Sequence, residues 1–257
     1  MSEPTEPIAT SADVVILSWN DGDLLDAAVS SALGSGEVSV NVLVIDNGSE
    51  PPVSDPRDPR VRVVRNSSNR GVAPARNQGV SLAAHPYVCF LDSDARLHPN
   101  ALTRLIRELE RDPSVALAAP VFAGQPREAS AGRAPTLLRK LARVANLRDT
   151  YASNSPPDAD AWDVDFAIGA CQVFRREAFD QVGGLDESYF YGPEDVDFCL
   201  RLREAGWRIV QVGSAEVDHP PRRRFRGIWS RRGAQHALAV SRHLWRHRNF
   251  RRRVNRQ

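Results

Sequence analysis

Three short apolar runs, Val14–Leu17, Val40–Ile45 and Tyr87–Leu91, each stop at a polar or acidic group. Runs that do not alternate between polar and apolar residues suit strands buried on both faces, and such strands occur in parallel sheets covered by helices. Between the first two runs, Leu24, Leu25, Ala28, Val29 and Ala32 recur at helical spacing before Gly34, which completes a β-α-β unit. A loop with four prolines over residues 50–60, a strand at Val61–Val64 and a helix at Gly71–Ala84 lead into the third run. A helix over 99–111 and a strand over 115–119 follow. The pattern predicts an α/β fold: a doubly wound, mainly parallel sheet flanked by helices. With 257 residues, 42% of them apolar, the chain has room for one such domain.

In such sheets ligands gather at the carboxyl ends of the strands. The polar residues there are Asn20, then Asp46-Asn47-Gly48-Ser49, then Asp92-Ser93-Asp94. Residues 121–161 have weak periodicity apart from a short helical pattern at 137–144. So long a connection predicts a lid or acceptor loop. Regular patterning resumes with Val164–Phe174, followed by helices at 176–182 and 194–205 and a strand at 207–212.

Asp92 and Asp94 directly follow a buried strand and lie about 7 Å apart along the chain. Two like charges so placed call for a cation, and carboxylate oxygens are hard ligands suited to Mg²⁺ or Mn²⁺. The bare tripeptide is equally a good turn sequence; it is the strand before it that favours a metal. Asp46 repeats the arrangement one strand earlier. Asn69-Arg-Gly-Val-Ala-Pro-Ala-Arg76-Asn77 enters a helix at Gly71, so backbone amides and the Arg76 guanidinium are expected to face an anionic ligand. Neither G-x-G-x-x-G nor G-x-x-x-x-G-K-[ST] is present, which argues against a dinucleotide-dependent dehydrogenase or a P-loop NTPase. Pro193-Glu194-Asp195-Val196-Asp197 opens a helix, where acidic residues satisfy the macrodipole or reach into a cleft. His219 is either an imidazole ligand or a bystander.

Net charge is +2, but residues 220–257 hold 13 arginines, three histidines and no acidic residue. Residues 1–219 therefore carry 21 basic against 32 acidic side chains, a net of −11. A basic stretch of this kind suits nucleic acid, an anionic lipid surface or a solvated helix, and composition does not choose among them. The three cysteines, Cys89, Cys171 and Cys199, lack metal or redox spacing and fit a reducing compartment. Residues 1–12 are expected to be disordered. With no leader-like or spanning apolar stretch in the sequence, the expected location is cytoplasmic.

The motifs VVILSWN, VIDNGS, NRGVAPARN, FLDSDARLHP and IGACQVFRREAFDQVGGLDESYFYGPEDVDFCLRLREAGW occur in an order that resembles the family 2 glycosyltransferases, inverting enzymes of GT-A fold. The chain looks most like bacterial rhamnosyltransferases, and the resemblance spans residues 13–219. It implies a catalytic domain over those residues and an Arg-rich helical extension over 220–257. It also implies transfer of a hexose, such as L-rhamnose, from a nucleoside-diphosphate sugar to a glycan or lipid-linked acceptor in one metal-assisted displacement. Ser18, Asn20, Asp46, Asn69, Arg76, Asp92 and Ser93 would line the donor side, Asp46 on the nucleobase. Asp94, Asp92 and His219 would hold the divalent metal, Asp195 would be the base, and Glu194 would help to place the acceptor. Gly169, Ala170 and Trp162 would wall the acceptor site. Trp19 replaces a more usual tyrosine, Gly192-Pro193 precedes the acidic pair where many relatives are bulkier, and Asp218 competes with His219 as the last ligand. In this setting the tail, with Ile228, Trp229, Leu238, Leu244 and Trp245 among its arginines, suits an anionic membrane surface, and no nucleic-acid partner is expected. The other classes weighed are a GT-A-like nucleotidyltransferase and a non-catalytic nucleic-acid-binding protein.

Overall fold

The computed structural model describes residues 10–123, 130–134, 159–220 and 246–247. The expected alternation is present: β1 (Ser11–Ser18), α1 (Asp23–Leu33), β2 (Ser39–Asp46), β3 (Val61–Arg65), α2 (Val72–Leu82), β4 (Tyr87–Asp92), β5 (Arg96–Leu97), α3 (Ala101–Arg111) and β6 (Val115–Phe122). Then come β7 (Ala131–Gly132), β8 (Ala161–Asp163), β9 (Phe166–Ala167), β10 (Cys171–Arg175), α4 (Arg176–Gln181), α5 (Glu194–Glu204) and β11 (Arg208–Asp218). The helical pattern at 137–144 lies outside the described residues.

The main sheet runs β3-β2-β1-β4-β10-β6-β11-β5, with β8 also on β11. It is parallel over β3-β2-β1-β4 and between β6 and β11. Between these blocks β10 runs antiparallel to both β4 and β6. The patterned segment over 164–174 contains two strands: β9 pairs with β7 in a separate ribbon, and β10 joins the sheet after a turn at Gly169-Ala170. The strand expected over 207–212 continues to Asp218, past a register irregularity between Val212 and Glu216.

Each central strand feeds two cores because successive side chains point to opposite faces. Val14 and Ile16 pack with Leu25, Ala28 and Ala32 of α1 and with Leu102, Leu105, Ile106 and Leu109 of α3. The last four follow i, i+3, i+4, i+7, with Arg104 and Arg111 exposed on the far side. Val15, Leu43 and Phe90 face α2, α4 and α5, where Phe90, Phe174, Phe179 and Phe198 stack on one another at 4.8–6.3 Å between rings. Helix α2 sits close enough to β1 that a Cβ on Gly79 would lie 2.3 Å from Val15 Cγ1. The sheet is thus clamped from both faces, and its carboxyl edge is a rigid shelf for polar side chains.

Candidate active site

Strand register sets the order along that shelf: Ser18 pairs with Asp46, and Leu17 with Asp92. Asp46 is buried, and its two oxygens accept the amides of Ser49 and Val53, so it shapes the loop after β2. Asn20 takes up a left-handed conformation (φ 58°) that lets its amide donate to Ser49 Oγ and its Oδ1 accept from Glu50. Asn47 holds the next loop, donating to Asn69 Oδ1 and the Gly71 carbonyl and accepting from Asn66 and the Arg70 amide. The start of α2 departs from expectation. The Gly71 amide donates to Asn69 Oδ1, the Val72 amide to the Phe190 carbonyl, and a Cβ on Gly71 (φ 92°) would meet that carbonyl at 2.8 Å. The Val72 amide thus fastens the segment around Phe190 to α2 and the Gly71 amide closes its own loop on Asn69, so neither faces a ligand.

Two antiparallel registers assemble the chemistry. β5 pairs Arg96 with Asp218 and Leu97 with Val217, which sets residue 219 opposite 95 and so next to Asp94. His219 Nε2 lies 3.9 Å from Asp92 Oδ2 and 3.8 Å from Asp94 Oδ1, with its ring against Phe122. One donor atom from each of Asp92, Asp94 and His219 lies within 4.8 Å of the others. Two carboxylate oxygens and an imidazole nitrogen are a donor set for a divalent ion such as Mg²⁺ or Mn²⁺, so these residues fit the expected metal. Asp218 is engaged elsewhere, 2.9 Å from His98 Nε2, which leaves the position to His219. Ser93 donates to Asp21 Oδ2 at 2.5 Å, and the Trp19 amide donates to the same oxygen. Asp21 thus ties the loop after β1 to the Asp92–Asp94 turn.

The second register pairs β10 with β4, Cys171 opposite Leu91, and the Asp92 amide donates to the Ala170 carbonyl. Arg76, 4% exposed, donates through Nη2 to Asp92 Oδ1 and to the Gly169 carbonyl, each at 2.7 Å. The Gly169 amide donates to Asp195 Oδ2 at 2.9 Å, and the Val196 amide to Asp195 Oδ1 at 2.8 Å. Gly169 is required by this crowding: a Cβ would stand 2.5 Å from Arg76 Nη1 and 3.2 Å from Asp195 Cβ. Burial raises Asp92 above the ordinary carboxylate range, with Asp94 and Asp195 adding to the rise while Arg76 and His219 oppose it. Glu194 is buried with Oε2 unpartnered; its burial, reinforced by the Asp195 charge, pushes its carboxyl up to about 7.

Residues 13–183 match the model of the family described as glycosyl transferase family 2. The chain belongs to that family. It is therefore a glycosyltransferase, which sets aside the nucleotidyltransferase and the non-catalytic alternatives. Residues 161–221 also match a family described as the N-terminal domain of galactosyltransferase. The glycosyltransferase is 30% identical over 229 residues to the N-acetylglucosaminyl-diphospho-decaprenol L-rhamnosyltransferase of Mycobacterium tuberculosis, covering 80% of this chain and 75% of that one. It is 31% identical over 250 residues to the pre-mycofactocin glycosyltransferase of the same organism, covering 92% of this chain and 49% of that one. Among solved structures, the mannosyltransferase PcManGT from Pyrobaculum calidifontis, in complex with GDP-Man and Mn²⁺, superposes with TM-score 0.64 at 19% identity, over 91% of this chain and 64% of that one. GalNAc-T7 with UDP, GalNAc and Mn²⁺ superposes with TM-score 0.62 at 16% identity, over 86% and 46%. Both share the GT-A fold.

Not every expected residue of the glycosyltransferase joins the cluster. Trp162 lies on β8 opposite Gln211, its ring against Gly213, several residues before His219 along β11. Phe190 and Tyr191, 46% and 45% exposed, stand just before the Glu194–Asp195 pair, and no spacing in the sequence marks them as site residues. Asp21 is a further site residue, and its signal in the sequence is an acidic side chain directly after Asn20, three positions beyond the end of β1. Of the basic stretch 220–257, Pro220, Arg246 and His247 are described; the last two dock on α5 and the segment before it. Among the described residues no helix is long and apolar enough to cross a membrane.

Proposed function

We propose that this enzyme is an inverting hexosyltransferase, moving a sugar such as L-rhamnose from a nucleoside-diphosphate donor to a hydroxyl of a glycan or polyprenyl-linked acceptor. The observation that carries the reading is a continuous hydrogen-bonded link between the two halves of the site. Asp92 meets Arg76, Arg76 meets the Gly169 carbonyl, and the Gly169 amide meets Asp195. One end of this link is the three-ligand cluster; the other is a carboxylate at a helix N-terminus beside two exposed aromatic rings.

Asp92, Asp94 and His219 would hold the divalent ion, which supplies positive charge against the leaving diphosphate. Asp195 is the base: fixed by two amides, it takes the proton from the acceptor hydroxyl as that oxygen attacks the anomeric carbon. In this reading Asp195 acts as a base on the acceptor and not as a nucleophile on the sugar, so the displacement is single and the configuration inverts. Arg76 keeps the charge of Asp92 balanced and sets its distance from the base side. Ser18, Asn20, Ser93 and the loops braced by Asp46, Asn47 and Asn69 form the nucleoside side, Glu194 and the Gly169-Ala170 turn the acceptor side. The decaprenol-linked substrate named for the mycobacterial relative supports a lipid-borne acceptor. Association with the inner face of the cell membrane through residues 220–257 rests on that stretch's charge.

A thermal-shift screen of the purified chain against UDP-, dTDP- and GDP-sugars, with and without Mn²⁺ and repeated on Asp94→Ala, tests the reading. Metal-dependent stabilisation by one nucleotide class, absent in the variant, is the expected result. Equal stabilisation with and without Mn²⁺, or in Asp94→Ala, would remove the cluster from the donor site.

A further inference from the structure

Asp197 has no solvent exposure although it carries a charge two residues after the proposed base. Arg201, one turn later on α5, donates Nε to Asp197 Oδ2 at 2.7 Å and uses its other nitrogens on the Val182 and Gly184 carbonyls. The other Asp197 oxygen faces His247 Nε2 at 2.9 Å and Arg246 Nη1 at 3.6 Å. His247 Nδ1 lies 3.2 Å from Glu204, and Arg246 reaches Asp186 at 2.6 Å. Burial alone would raise Asp197; His247, Arg201 and Arg246 outweigh it and bring the carboxyl down to about 2.

The placement of these contacts matters as much as their strength. Residues 197, 201 and 204 follow i, i+4, i+7 and share one helix face, whereas Asp195, two residues before 197, points about 200° around the helix. His247 therefore presses on the back of the helix whose front carries Asp195 against Gly169. Asp186 and Asp197 bracket the segment bearing Phe190, Tyr191 and Asp195, and the Arg246–His247 pair contacts both brackets.

We propose that His247 is a positioning residue: with Arg246 it pins α5 from behind and so sets the place of Asp195 in the cleft. The inference rests on Asp195 being the base. Part of the basic C-terminal stretch is then a component of the catalytic domain, 52 positions beyond the residue it positions.

The test uses the full chain with His247→Ala, His247→Gln and Asp195→Asn. Hydrogen exchange is read at the Gly169 and Val196 amides, whose acceptor is Asp195, and at α3 as an internal control. For His247→Ala we expect exchange at those two amides to rise about tenfold with α3 unchanged. We also expect kcat, on whichever UDP-, dTDP- or GDP-sugar the wild type turns over, to fall at least tenfold with donor KM within twofold. His247→Gln, which keeps a donor toward Asp197, should recover most of both. Unchanged exchange at Gly169 and Val196, a rise shared equally by α3, or a wild-type kcat in His247→Ala each overturns the positioning role. Wild-type turnover in Asp195→Asn overturns the base assignment itself, and the inference with it.

Discussion

Gly169 stands between Arg76 and Asp195, and Gly169→Ala is the sharpest test of the link between the two halves of the site. The new methyl would begin 2.5 Å from Arg76 Nη1, where ordinary contact starts near 3.4 Å, so the guanidinium must retreat by about 0.9 Å. Arg76 is 4% exposed and both of its hydrogen bonds leave from Nη2, so a retreat of that size stretches its 2.7 Å bond to Asp92 beyond hydrogen-bonding range. Loss of one charge-assisted bond costs about 1.5–3 kcal/mol, and overpacking a tight site costs about 1–3 kcal/mol. Together these come to about 2.5–6 kcal/mol, so at about 2–4 °C per kcal/mol for a domain of this size Tm should drop by roughly 5–25 °C. Misplacing a catalytic group by about 1 Å costs on the order of 100-fold in rate, so kcat should fall by about 10–100-fold. The assay is a melting curve with and without Mn²⁺ and nucleoside diphosphate, beside steady-state transfer kinetics. Wild-type kcat in a variant whose Tm has moved by less than about 1 °C would show that Arg76 and Asp195 do not close on Gly169, and the argument for their coupling would fail.

Gly79→Ala places a methyl 2.3 Å from the buried Val15 and should destabilise by about 1–3 kcal/mol in chemical denaturation while leaving nucleotide affinity unchanged; a stabilised variant would contradict the packing of α2 on β1. Glu194, raised from 4.5 to about 7, stabilises the fold fully below pH 4.5, and that contribution, about 3 kcal/mol, is lost as pH rises through 7. Glu194→Gln stays neutral, so its stability should be flatter than the wild type's between about pH 5 and 8 in a pH series of denaturant midpoints, and parallel curves would refute the burial argument. Asp197, lowered from 3.8 to about 2, contributes stability present above pH 3.8 and lost as pH falls through 2. Asp197→Asn should therefore be weakest relative to the wild type near neutrality, by about 2 kcal/mol or more, with the gap closing in acid; a constant gap across that range would mean the charge is not what holds α5.

How much of the site the sequence reveals depends on whether a side chain is placed by its own strand or by a distant one. Asp46, Asp92 and Asp94 end buried strands, so local patterning alone puts them at the carboxyl edge. Asp195 is legible as a first-turn helical carboxylate, though not its contact with Gly169. His219 depends on a two-residue pairing of β5 with the far end of β11, a ladder too short to leave a periodic signal. Arg76 looks like a free cation in the sequence because its two acceptors, Asp92 and the Gly169 carbonyl, lie 16 and 93 positions away. Asp46 looks like a ligand-facing carboxylate because the amides that occupy it belong to a loop whose course no spacing rule reveals.

The strand least legible in the sequence, β10, is also the one on which the site most depends. A short, mostly apolar stretch such as Cys171–Phe174 reads the same whichever way it points, and the surrounding β-α pattern favours a parallel strand. Run parallel in the same slot, β10 would begin at the opposite edge of the sheet, and the Gly169-Ala170 turn would sit a strand length away, about 17 Å for five residues. Run antiparallel, it begins at the carboxyl edge of β4, so the turn that precedes it meets Asp92 directly through the Ala170 carbonyl. That turn supplies the carbonyl for Arg76 and the amide for Asp195. The reversal of one strand therefore brings the proposed base to the edge where parallel strands had already placed the metal ligands.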